Sequence, residues 1–242
     1  MIPLNRSLNR DRNQFRPLEF TRAFTENTPG SVLVETGNTK VLCTVAINEH
    51  VPQWMKGKVG GWLTAEYSML PGATHTRKFR DGRNNRVDAR SLEIQRLIGR
   101  SLRSSVDLKL LPDITLWIDC DVLSADGGTR TASINGACVA LYDALLYLEE
   151  RKQIRKWPMP ELVSAMSVGL LDGDALVDLD YNEDSNADVD LNVVCNSAGD
   201  FIEIQGSAEG GAFSPDQLQD LLDLGRAACA DVEKAQRTAL GL

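Results

Sequence analysis

The order in which the hydrophobic period changes along this chain constrains its fold more than any single residue does. Residues 31–36 and 39–48 alternate and are rich in Val, Leu and Thr, and Gly37-Asn38 between them suits a two-residue hairpin turn. Residues 61–70 form a shorter strand. Over residues 88–108 the period lengthens: Ile94, Leu97, Ile98, Leu102 and Val106 fall on one helical stripe. Arg96, Arg100 and Arg103 lie on the other faces, open to RNA, a partner subunit or solvent. Residues 114–123 return to a strand, and residues 131–148 are a largely apolar helix starting directly behind a glycine-rich loop. Two hairpins follow, 163–171 with 174–180 and 189–196 with 201–207. A last helix starts at Ser214-Pro215, with Gln217 placed for a capping box. Strands, helix, strand, helix, hairpins, helix, with no linker or low-complexity segment, predict an α+β fold packed in layers. A single domain over residues 1–242 is expected. It begins with a polar arm, and residues 71–87 form a basic, mobile loop that has little to bury.

With 242 residues, 43% of them hydrophobic, the chain buries a full core without staples. No apolar run approaches the roughly 20 residues that span a bilayer, and residues 1–17 lack the apolar stretch of a secretory signal. Five cysteines (Cys43, Cys120, Cys138, Cys195, Cys229) form no C-x-x-C pair and sit mostly in apolar runs, which predicts buried thiols in a reducing cytosol. A cytoplasmic protein without membrane contact is expected. The net charge of −8 argues against a nucleic-acid partner until its distribution is considered. Residues 77–103 carry nine Lys or Arg against three acids, whereas residues 157–225 carry neither Lys nor Arg. Eight carboxylates fall within residues 172–190. One stretch is composed to meet anions and the other to meet cations.

Several common catalysts are absent. His50 and His75 are the only histidines, no Ser or Cys has a nucleophile-elbow context, and there is neither a P-loop nor a dinucleotide fingerprint. The loop Gly127-Gly128-Thr129-Arg130 is more informative. Its glycines let backbone approach a ligand, and the following helix offers free N–H groups to an anion. Thr129 and Ser133 add hydroxyl donors, and Arg130 a planar fork for two phosphate oxygens. Arg90 is a second anion clamp by position. The same loop also fits an ordinary glycine turn capping a helix, and the motif alone leaves both readings open. The acidic run 178–190 fails as a calcium loop, because Glu183 stands where glycine is needed and Val189 where the bidentate glutamate is needed. A magnesium site with one or two carboxylates survives. Asp190 fits it best, since it leads a strand whose Leu191, Val193 and Val194 are predicted to be buried, whereas Asp180 and Glu183 read as solvated.

The chain closely resembles the ribonuclease PH family of phosphorolytic exoribonucleases over nearly its whole length. The resemblance rests on Phe15-Arg-Pro-Leu, Gly61-Trp-Leu-Thr-Ala-Glu-Tyr67, Thr74-His-Thr-Arg77, Glu93-Ile-Gln-Arg-Leu-Ile-Gly-Arg-Ser-Leu-Arg103, Ala125-Asp-Gly-Gly-Thr-Arg-Thr-Ala-Ser133, Glu183-Asp-Ser185 and Glu203-Ile-Gln-Gly206. It implies the α+β fold shared with the second domain of ribosomal protein S5. It implies phosphate binding by Arg90, Gly128, Thr129 and Arg130, and a catalytic magnesium pair, Asp184 and Asp190, with manganese as a substitute. Arg77 and Arg80 match arginines of a tRNA-gripping segment, and Arg96 and Arg100 join them as RNA-binding candidates. The implied activity is phosphate-dependent trimming of tRNA 3' ends by a homohexameric ring, a trimer of dimers. Gly72 departs from the pattern, standing where the family commonly has an arginine.

Overall fold

The computed structural model describes residues 6–80 and 88–242. Its elements run β1 (Leu18–Arg22), β2 (Gly30–Thr36), β3 (Thr39–Asn48), β4 (Trp62–Met69), α1 (Ala89–Ser104), β5 (Thr115–Ser124), α2 (Thr129–Glu150), β6 (Val163–Leu171), β7 (Asp174–Val177), α3 (Tyr181–Asp184), β8 (Val189–Asn196), β9 (Phe201–Ala208) and α4 (Pro215–Leu240). A five-stranded sheet has the order β1-β2-β3-β5-β4, and a four-stranded sheet the order β7-β6-β8-β9. Among the described residues only β4 and β5 pair in parallel, and the β2–β3 hairpin turns at Gly37-Asn38. This is the expected layered α+β class.

The apolar character of α2 has a structural cause. An amphipathic surface helix buries one stripe, but α2 is covered on opposite sides by both sheets and so carries no stripe. Gly136 lies against Val34 of β2 and Cys43 of β3, where an added Cβ would come within 2.6 Å of Val34. Toward the other sheet, buried Asn135 exchanges two hydrogen bonds with the Ala165 backbone of β6. By length and composition α2 is apolar enough to cross a membrane, unlike any run noted in the bare sequence. Its burial between the sheets accounts for that composition. The five cysteines are free and buried.

The structure revises several boundaries. Helix α1 ends at Ser104, and Val106 is buried in the connection beyond it. Strand β7 stops at Val177 because Asp178 turns into a left-handed backbone (φ 55°). Strand β1 lies within the segment read as a polar arm. It pairs with β2 at the sheet edge, and its half-exposed residues left only a faint period. Of the basic segment, residues 71–80 are described. They form turns held by Ala73 N–H on the Leu70 carbonyl and Lys78 N–H on the Pro71 carbonyl. Residues 81–87, including Arg83 and Arg86, lie outside the described residues, and the expected mobility of this segment falls partly on them.

The arm itself is inserted rather than solvated. Arg6, Arg10 and Arg16 are buried against Asp178, Asp180 and Glu183. Asp180 and Glu183, read as solvated from sequence, are 5% and 7% exposed. Asp180 caps α3 reciprocally with Glu183. Three of the eight carboxylates in the acidic stretch therefore already have cationic partners within the protein.

Candidate active site

The anion loop is built where β5 ends and α2 begins. Gly127 and Gly128 both adopt positive φ (74° and 65°), and Gly128 is the N-cap of α2. The two glycines do different jobs. A Cβ on Gly127 would sit 2.3 Å from the Leu179 carbonyl oxygen, so this glycine admits the protein's own acidic turn rather than a ligand. The left-handed Gly128 then delivers the first amides of α2. Thr39 holds the loop from below, donating from Oγ1 to the Gly127 carbonyl (2.7 Å) and accepting from Asp126 N–H (2.9 Å).

Beyond Gly128, buried Tyr67 donates its hydroxyl to Thr129 Oγ1 (2.9 Å), leaving the Thr129 proton available to another acceptor. Ser133 is not available, because its buried hydroxyl donates to the Thr129 carbonyl (2.8 Å). Arg130 donates through Nη2 to Glu93 Oε2 (2.9 Å), whose other oxygen accepts from Gln205 (2.9 Å). The buried Nε of Arg130 has no protein partner among the described residues. An orphaned guanidinium N–H is costly unless an acceptor reaches it, which fits an anion at this loop. Arg90 enters from the first turn of α1, which is capped by Asp88.

The acids arrive from the other sheet. Asp184 ends α3, and Asp190 is the second residue of β8, between Gly169 of β6 and Ser207 of β9. Burial raises the Asp184 carboxyl, opposed by Arg90 and Arg130. Burial and then Asp184 push Asp190 up to about 6, opposed by Arg130 and Arg90. Asp190 thus feels Asp184, and both acids feel the same two arginines. Two half-buried carboxylates that repel each other fit a divalent cation. No group of three or more His, Cys, Asp or Glu forms a cage among the described residues. An ion held here would therefore finish its shell on water or substrate, as magnesium does.

A cavity of about 460 Å³ joins the loop to Arg90 and Asp184, with Arg130 and Asp190 outside its lining. Gly127, Gly128 and Thr129 line it together with Arg90 and Asp184, and Thr74, His75, Thr76 and Tyr181 also contribute. The His75 and Tyr181 rings meet with centroids 6.1 Å apart. Arg77 and Arg80 are exposed and follow Thr76 in the chain without lining the cavity. Arg96 and Arg100 are not brought to the cavity. They line a separate pocket with Arg103, Thr64 and Ala65, and Arg100 pairs with Glu203 of β9. Gly72 is exposed, with open space where a side chain would extend.

Sequence reasoning missed Tyr67, Glu93 and Gln205, whose partners lie far off in the chain, and it missed the arginine network. Arg6 grips Glu183 through two nitrogens (2.7 and 3.1 Å), and Arg10 reaches Asp178 and Glu183. Burial drives the Asp178 carboxyl up, but the Arg16 hydrogen bonds prevail and hold it below the usual range. The available signal was four arginines within residues 6–16, three of which face a stretch with no cation of its own.

Comparison with known proteins bears on the family and the fold. Residues 14–146 match the model for the 3' exoribonuclease family, domain 1, and residues 161–228 match domain 2 of that family. The fold superposes on rice (Oryza sativa) Rrp46 with a TM-score of 0.78 at 22% identity, covering 97% of this chain and all of that one. An Archaeoglobus fulgidus exosome structure with RNA bound to the active site gives a TM-score of 0.80 at 22% identity, covering 95% of this chain and 91% of that one. An archaeal exosome core gives 0.73 at 22% identity, covering 95% and 88%. At these identities the structural likeness speaks for the fold.

Proposed function

Because the chain belongs to the 3' exoribonuclease family of ribonuclease PH, we propose that it is a phosphate-dependent 3'→5' exoribonuclease that trims tRNA precursors and releases nucleoside diphosphates. The observation that carries this reading is the cavity that Arg90 and Asp184 line together with Gly128 and Thr129, with Arg130 acting electrostatically on Asp184 and on Asp190. A hydrolase activates water and has no need of an arginine-lined anion cradle, whereas a phosphorolytic enzyme must bind two phosphates side by side.

In this reading orthophosphate sits on Arg90, the free N–H groups of Arg130, the Thr129 hydroxyl and the first amides of α2. It is already an anion at neutral pH, so the protein's tasks are to orient it and offset repulsion from the RNA phosphate. One phosphate oxygen attacks the phosphorus of the last phosphodiester. The 3' oxygen of the preceding nucleotide leaves and takes up a proton, and a nucleoside diphosphate departs. The reverse reaction adds a nucleotide to the RNA 3' end. Asp184 and Asp190 would hold magnesium, or manganese in its place, which when bound supplies positive charge at the scissile phosphate and leaving oxygen. Arg77 and Arg80 hold the RNA backbone beside the cavity without reading bases. Arg96 and Arg100, remote from the cavity, bind RNA further from its end. The working form is a homohexameric ring, a trimer of dimers, in the cytoplasm.

Incubating the purified protein and magnesium with tRNA carrying extra 3' nucleotides, with and without phosphate, tests the reading. Nucleoside diphosphates appearing only with phosphate support it. Monophosphates released without phosphate identify a hydrolase, and intact RNA under both conditions identifies a non-catalytic RNA-binding subunit.

A further inference from the structure

The phosphate loop and the acidic turn belong to different sheets, yet they touch, and one side chain is bonded to both. Arg16 is 2% exposed. Its Nε and Nη2 donate to the two oxygens of Asp178 (2.8 and 2.7 Å), and its backbone N–H donates to the same carboxylate (2.7 Å). Its remaining nitrogen, Nη1, donates to the Asp126 carbonyl, and Nη2 also reaches the Gly127 carbonyl (3.5 Å). These two carbonyls immediately precede Gly128, Thr129 and Arg130. Asp178 lies six residues before Asp184, and Leu179 and Asp180 between them press on Gly127. The left-handed backbone of Asp178 turns its carboxylate toward the guanidinium.

We propose that Arg16 is a positioning residue that sets the distance between the orthophosphate cradle and the acid pair. This inference rests on the phosphorolytic reading above. The planar fork suits the task because its donors are fixed relative to one another. Two nitrogens take Asp178 while the third takes the loop, so the loop cannot shift without breaking a bond to the acidic turn. Arg6 and Arg10 secure the far side of that turn by holding Glu183, Val177 and Asp178. Lysine at position 16 carries the same charge on a single nitrogen and cannot hold both sides in register.

The test compares wild type, Arg16→Lys and the double variant Arg16→Met/Asp178→Asn. Removing both charges leaves no unpaired ion in the interior, and asparagine tolerates the left-handed backbone at 178. Thermal unfolding establishes that each variant is folded. Steady-state rates on one RNA with a short 3' extension then give kcat, the KM for orthophosphate and the KM for RNA. The expected result is a folded double variant whose kcat/KM for phosphate falls on the order of 10²-fold, the usual consequence of a misplacement of about 1 Å. Arg16→Lys should recover only part of that loss, and the KM for RNA should stay near wild type. Folded variants with wild-type kcat and phosphate KM would overturn the proposal and leave Arg16 a purely structural residue. Should the double variant not fold, Arg16→Lys decides by the same criteria. A wild-type protein that releases no nucleoside diphosphate overturns the phosphorolytic reading, and this inference with it.

Discussion

Arg130 and Asp178 illustrate how two similar ionic contacts have different roles. Arg130 shares one nitrogen with Glu93 and keeps a buried Nε unmatched, so it is a donor awaiting an acceptor. Arg130→Ala should raise the phosphate KM by at least about tenfold while kcat at saturating phosphate falls less, because truncating a charge-paired donor costs on the order of 2–5 kcal/mol of ligand binding. Rates measured over a phosphate titration check this, and an unchanged phosphate KM would remove Arg130 from the site. Asp178 is instead fully matched, and its loss strands a buried guanidinium. Asp178→Asn should destabilise the protein by about 3–5 kcal/mol at neutral pH. Because the folded carboxyl is held below its ordinary range, this stability is present above the ordinary carboxylate pKa and is lost as pH falls through the lowered folded value. The gap between wild type and Asp178→Asn in urea unfolding should therefore be full at pH 7 and shrink as pH falls below 4. A gap independent of pH would contradict the assignment.

At the scale of elements, local signals identified what depends on neighbours in sequence. The hairpin turn at Gly37-Asn38, the Ser214 capping box and the apolar stripe of α1 were legible because each is encoded within a few residues. Arg90, Gly128, Thr129, Arg130, Asp184 and Asp190 were named for the same reason, through motifs. What escaped was encoded across the chain: β1, whose edge position dilutes its alternation; the buried state of Asp180 and Glu183, which depends on arginines about 170 residues away; and the separation of Arg96 and Arg100 from the cavity, which depends on how α1 lies on β4. Gly127 was legible as a glycine that matters, but its neighbour turned out to be protein rather than ligand. Gly127→Ala should push the Gly128 loop off the Leu179–Asp180 backbone, costing about 2 kcal/mol or more from strain and overpacking and lowering kcat/KM for phosphate. Gly210→Ala has open space and an unstrained backbone and should be nearly silent. Thermal melts and phosphate titrations of both variants check the pair, and equal effects would contradict this account of the loop.

For the whole molecule, a net charge of −8 makes RNA affinity a matter of where the cations sit. The acidic stretch is partly neutralised internally by Arg6, Arg10 and Arg16, while Arg77 and Arg80 are exposed on the segment that follows the cavity residues Thr74, His75 and Thr76. Gly72→Arg, in open space on the same segment, should tighten tRNA binding and steepen its dependence on log salt by about one phosphate contact, with Arg77→Ala acting in the opposite sense. Filter binding at several salt concentrations reads this, and parallel salt slopes for the three proteins would contradict it. The central claim is that the nucleophile is phosphate. It is tested most directly by supplying isotopically labelled orthophosphate with RNA and magnesium and locating the label in the products. The account predicts labelled nucleoside diphosphates, with the label in the terminal phosphate. Unlabelled nucleoside monophosphates formed at the same rate without phosphate would contradict it.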